Sequence, residues 1–283
     1  MAIISFWSED RKDSAQTLSM VAVATYMAIE HNARVLIVDA TFDDDTISRC
    51  YMKTINEKHK VATISQFESA KVDISSGAEG LVSAIASNKV TPEIIKNYTK
   101  IIYKNRLDAL LGLKTKIPEE HDKSLMLYKD LLNMANKYYD FVFVDLNKTY
   151  KKDTTKAILE NSTIVCYALR QNLRQIDNFV EKKQKIELLN KNKVIPILGN
   201  CDLLSNYNEK NTARHIGERK GIAYIPYNSY FMESASEGNV ADYFLKIKFS
   251  KMDYNKNDKF LKGVDDACNR ILAKVKDIQM GKI

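Results

Sequence analysis

The chain has 283 residues, 45% hydrophobic and 28% charged, an ordinary globular composition that excludes an intrinsically disordered protein and supplies apolar material for a sizeable core. Its 43 Lys and Arg against 36 Asp and Glu give a net charge of +7, which permits contact with nucleic acid or an anionic membrane without demanding either. Most of the excess sits at one end: residues 245–283 hold 10 Lys or Arg and 5 Asp.

In chain order, Ala2–Phe6 (AIISF) reads as a buried strand. A helix is expected over residues 14–30, with Leu18, Val21, Ala22, Thr25, Ala28 and Ile29 at helical spacing and Asp13 or Ser14 as its cap. Val35–Val38 is a second strand, ending at Asp39. Residues 46–135 read as mostly helical and charged. Phe141–Val144 is a third strand, ending at Asp145. Thr163–Ala168, Val194–Leu198 and Ile222–Ile225 complete a set of six, with Pro196 removing a ladder donor from the fifth. Residues 258–280 form an amphipathic helix with Leu261, Val264, Cys268, Ile271, Leu272, Val275 and Ile278 on one side. Strands without polar alternation are buried on both faces, as in a parallel sheet covered by helices. The expected class is therefore α/β: a doubly wound, mostly parallel sheet flanked by helices. One domain is expected over residues 1–250, with residues 251–283 as a helical extension packed on it.

Cys50, Cys166, Cys201 and Cys268 are widely spaced, without zinc-type spacing, and fit free thiols in a reducing cytoplasm. The acids after Trp7 oppose a signal peptide, and no apolar run approaches the ~20 residues of a membrane span. His31, His59, His121 and His215 have no visible nucleophile partner. Nine glycines occur, none before Gly77.

Six pieces in order then resemble the ParA/MinD family of P-loop ATPases: the first strand with its loop and helix, Arg34–Asp39 (RVLIVD), Leu107–Gly112 (LDALLG), Tyr139–Asp145 (YDFVFVD), Ile197–Asn200 (ILGN) and Glu233–Phe244 (ESASEGNVADYF). The resemblance implies that fold, with Asp145 as the Walker B carboxylate, Asp39 in the first switch strand and Asn200 at the adenine. It also places the family's phosphate loop, K-G-G-x-G-K-T-T, on Arg11–Leu18. Such loops need glycine so that backbone N–H groups can close around phosphate. Here Lys12, Asp13 and Ala15 stand at the glycines, Gln16 stands at the phosphate-binding lysine, and Thr17 alone is retained. Arg11 matches the signature lysine in charge.

Candidate nucleotide residues are Arg11, Gln16, Thr17, Asp145 and Asn200, with Thr17 and Asp145 as magnesium ligands if ATP binds. Catalytic candidates are Asp39 and Asp43. Losing the loop lysine removes a cation from a site built for several negative charges, so weak ATPase activity at most is expected. Among the branches, the TadZ/CpaE-like pilus-assembly proteins combine this fold with an atypical phosphate loop. The leading expectation is a non-hydrolysing scaffold or positioning factor with a protein partner in a pilus, secretion or partition system, recruited from the cytoplasm to the inner membrane face or a cell pole. An ATP-dependent homodimer and a nonspecific DNA binder, through Lys96–Arg106 or Lys246–Lys262, remain as alternatives. For Arg11 the solvated loop is the default, and for the last helix packing on the body or a dimer contact is favoured over a peripheral membrane contact.

Overall fold

The computed structural model describes residues 1–9, 11, 13–53, 77–87, 91–146, 150, 152–249 and 254–282. The expectations for Lys12, His59 and parts of the segments 46–135 and 246–262 lie outside those residues.

Each apolar run expected as a strand is one. β1 (Ala2–Trp7), β2 (Val35–Ala40), β5 (Phe141–Leu146), β6 (Ile164–Leu169), β7 (Val194–Cys201) and β8 (Ala223–Pro226) pair in parallel. Two more, β3 (Lys100–Tyr103) and β4 (Leu107–Leu110), extend the sheet to eight strands in the order β3-β4-β2-β5-β1-β6-β7-β8, with β3 antiparallel. The helical expectation for this stretch is corrected there, and the reason is local. β3 is a short edge strand carrying Lys100, and its Ile101 is 69% exposed. β4 holds Asp108 in a buried position, made tolerable by a 2.8 Å hydrogen bond from the Tyr139 hydroxyl. Pro196 fits inside β7 because its partner β8 pairs only from Ile197 onward.

Alternate residues of the central strands feed two cores. Ile4, Phe6, Val35, Ile37 and Phe143 point to one, which α1 (Gln16–Glu30), α9 (Ser229–Ser236), α10 (Val240–Phe249) and α11 (Tyr254–Gln279) cover. Ile3, Trp7, Leu36, Val38, Val142 and Val144 point to the other, under α3 (Ala78–Ala86), α5 (Tyr128–Ala135), α6 (Asp153–Asn161) and α7 (Leu173–Lys185). Both faces are dry, which is why these strands lack polar alternation. The remaining helices are α2 (Thr46–Tyr51), α4 (Pro118–Leu125) and α8 (Glu209–His215). The apolar side of α11 buries Val264, Cys268, Ile271 and Val275 against α1 and β8. All four cysteines are buried free thiols.

The chain leaves β1 toward β2 on one side of the sheet and later fills β6, β7 and β8 on the other. In open α/β sheets such a reversal opens a crevice at the carboxyl ends of the strands. The loop between β1 and α1 lies there.

Candidate functional site

β5 delivers Asp145 to the carboxyl edge of the sheet, in register with Phe6 of β1 and Asp39 of β2. Its side chain is fully buried, so every oxygen needs a partner. The loop and first turn of α1 supply them. Oδ2 accepts from Arg11 Nη2 at 2.6 Å and from the Thr17 hydroxyl at 2.7 Å. Oδ1 accepts from Gln16 Nε2 at 2.6 Å. The same amide nitrogen lies 3.1 Å from the Phe6 carbonyl and 2.9 Å from that of Leu146. Gln16, Thr17 and Asp145 thus meet, as expected for a shared site, but they are bonded to each other.

Arg11 departs most from expectation. Its side chain is 11% exposed rather than solvated. Nη2 also donates to Thr17 Oγ1 at 2.7 Å, and Nη1 donates to Asp44 Oδ2 at 2.8 Å. Burial works against the charge, yet Asp145 and then Asp44 outweigh it, and the guanidinium holds its proton more tightly than a free arginine. Asp44 is in turn held below the usual carboxylate range: burial raises it, but hydrogen bonds from Thr46 and from Arg11 prevail. Within the acid run Asp43–Asp45, whose register the sequence leaves open, Asp44 rather than the candidate Asp43 joins the network. Asp43 is exposed with a left-handed backbone, φ 51°, and Asp45 is exposed too, so the acid run turns only its middle member inward. Only the loop's path in three dimensions tells them apart.

Asp39 stands behind this network. Its Oδ1 accepts from the Thr41 N–H at 2.9 Å and hydroxyl at 2.6 Å, so Thr41 closes a turn on Asp39. Burial, then the nearby Asp145 carboxylate, push Asp39 up to about 7. His121 of α4 holds the same turn through the Thr41 carbonyl at 2.9 Å.

The loop keeps one geometric demand of a glycine-rich loop without the glycine. Ala15 is left-handed, φ 51° and ψ 36°, and caps α1 through its backbone alone. Neither Asp13 nor Ser14 caps the helix; the Ser14 hydroxyl donates to the Arg11 carbonyl at 3.2 Å. The glycine that matters lies elsewhere. A Cβ on Gly199 of β7 would stand 2.1 Å from the Ser14 carbonyl oxygen, so β7 touches the loop backbone to backbone. Its neighbour Asn200 is exposed at φ 47°, beyond the packed loop.

The chain is similar to several solved structures over nearly its whole length. One is a ParA family ATPase from Chlorobium tepidum, at TM-score 0.64 and 18% identity, covering 94% of this chain and 97% of that one. A second is a putative plasmid partition protein from Borrelia burgdorferi bound to AMPPNP, at 0.59 and 18%, covering 100% and 99%. A third is the septum site-determining protein MinD from Pyrococcus horikoshii in complex with Mg-ADP, at 0.58 and 13%, covering 96% and 98%. The fold is that of the ParA/MinD ATPases. No protein-family model and no curated protein matches the chain.

The donor set can be tested against what that fold holds elsewhere. The resemblance in the sequence makes Thr17 and Asp145 the expected magnesium ligands. Both Asp145 oxygens are engaged here, and the Thr17 oxygen faces a guanidinium. A divalent cation does not fit beside the Arg11 charge on the same oxygens. Among the described residues no group of three or more acids, histidines or cysteines is placed to hold a metal ion. Phosphate fares no better: the lysine position is Gln16, whose amide is spent on Asp145 and two carbonyls. Within the Asp145 network, Arg11 Nε and Gln16 Oε1 are buried without a hydrogen-bond partner.

Proposed function

We propose that the chain is a ParA/MinD-fold positioning or scaffold protein that does not hydrolyse nucleotide. The observation that carries this reading is the saturation of Asp145 by Arg11, Thr17 and Gln16. A hydrolase of this fold needs those oxygens for its metal and a lysine at position 16 for the transferred phosphate.

Function then resides in the surface. Leu173, Leu204, Tyr207, Tyr227 and Tyr230 are all exposed just beyond the carboxyl ends of β6, β7 and β8, with Leu204 at 92% and Tyr227 at 59%. Gln171 ties the loop after β6 to the loop after β7: its amide donates to the Asp202 and Tyr207 carbonyls and accepts from the Asp202 N–H. Exposed apolar side chains on loops of this edge suit a protein partner. MinD of Aquifex aeolicus is solved with MinC, which shows the fold in a complex with another protein. The pilus or secretion setting of the TadZ/CpaE branch is the use we favour, with recruitment to the membrane face through that partner. Among the described residues no helix is long and apolar enough to cross a membrane.

Calorimetry and a steady-state turnover assay test the reading. Neither heat up to millimolar ATP with magnesium nor turnover above the buffer rate is expected. Turnover abolished by Asp145→Ala would sink it. A second reading, a nucleotide-driven dimer, has one observation in its favour: Arg11 Nε is a buried donor without an acceptor, which a phosphate oxygen would supply. That reading requires a rise in mass by light scattering on adding ATP.

A further inference from the structure

Asp145, Thr17 and Asp44 belong to three separate elements: the end of β5, the first turn of α1, and the loop after β2. In a nucleotide-dependent protein of this fold, a bound metal and phosphates would set how such elements stand to one another. Here one side chain reaches all three, at 2.6, 2.7 and 2.8 Å. A planar guanidinium can span acceptors on two edges at once, which the single point charge of an ammonium cannot. The charge also suits the place. Asp145 is fully buried and would be costly without a cation, and Arg11 is its ion-pair partner among the described residues.

We propose that Arg11 is a resident cation, standing where a metal ion would be and clamping the β1–α1 loop, β5 and the loop after β2 into one arrangement with no nucleotide present. This rests on the non-hydrolysing reading and adds to it: the arrangement offered to a partner is constitutive, and Arg11 is the residue that makes it so. Arg11 acts on position, through Asp145 and Asp44.

Thermal unfolding of the full chain tests this without any activity. Millimolar magnesium chloride alone is expected to leave the wild-type Tm unchanged. Arg11→Ala is expected to lower Tm by about 5–10 °C, the effect of stranding a buried carboxylate. Ethylguanidinium chloride at tens of millimolar should then raise the Tm of the variant, and not of the wild type, relative to equal sodium chloride. Arg11→Lys should fall between the two. If Arg11→Ala does not fold, the double variant Arg11→Ala/Asp145→Asn decides, because it removes the stranded charge and should be more stable than the single. The proposal is overturned by an unchanged Tm in Arg11→Ala, by a fall that ethylguanidinium does not reverse when the variant folds, by a double variant no more stable than the single, or by a wild type that magnesium alone stabilises. ATP turnover by the wild type with all melting shifts as expected would remove the non-hydrolysing reading and leave the clamp standing, so the two failures are told apart.

Discussion

Asp39 and Asp145 sit side by side on neighbouring strands, with one guanidinium, that of Arg11, between Asp145 and Asp44, and the charge balance makes the inner acid sensitive to pH. Asp39 is pushed up to about 7, first by burial and then by Asp145. The folded chain therefore holds this proton more tightly than the unfolded chain does. The contribution is fully present below about pH 4 and is lost as pH rises to about 7, after which it levels off. Urea midpoints measured at about pH 5 and about pH 8 should fall between the two for the wild type, and Asp39→Asn should flatten that part of the profile. A wild-type profile with no slope in this window, or an Asn variant with the same slope, would contradict the environment assigned to Asp39.

The strand–loop–helix unit at β1–α1 depends on a contact from a strand far along the chain. β7 approaches so closely that Gly199 has no room for a side chain against the Ser14 carbonyl. Backbone cannot give way as a flexible side chain can. Gly199→Ala should cost about 1–3 kcal/mol in urea unfolding and should disturb the Arg11 network, because Ser14 leads directly into Ala15 and Gln16. A variant as stable as the wild type would mean that the loop is free to move, and the site with it. α11 makes a similar approach at Gly263, where a Cβ would stand 2.3 Å from Pro226 of β8. Helix and strand are thereby held closer than ordinary side chains permit.

α11 is also what completes the body of the molecule. Its buried residues share one core with α1, α9 and α10, so the region expected as an extension is continuous with that core. Deleting residues 254–282 should expose this face of α1 and β8 and give an insoluble or non-cooperatively unfolding chain. A soluble truncated protein with a single sharp transition would show that the two parts fold apart. Some basic residues of the DNA reading make contacts within the molecule at its surface. Lys96 stands over the Tyr138 ring at 5.2 Å, Arg106 donates to the Asn32 carbonyl at 2.5 Å, and Lys248 donates to the Ile29 carbonyl at 2.7 Å.

Six strands, the helix after the first strand, the last helix and the carboxyl-edge position of Asp39 and Asp145 were legible in the amino-acid order, because a strand buried on both faces must be apolar throughout and its terminal acid marks where it emerges. β3 and β4 were not, because an edge strand tolerates Lys100 and a partner hydroxyl from Tyr139 tolerates Asp108, and neither compensation is local. Lys12, Asp13, Ala15 and Gln16 read as an eroded phosphate loop only through the family resemblance. The network built on Arg11 was not legible at all. Arg11 is one charged residue in a polar segment, and nothing near it in the chain distinguishes a solvated side chain from a buried one. Its partners, Asp44 and Asp145, lie 33 and 134 residues away. Local order dictates which segments must be buried, through apolar periodicity. The pairing of buried charges is decided only when the sheet brings distant strand ends together, where the cost of an unpaired carboxylate selects the cation that satisfies it.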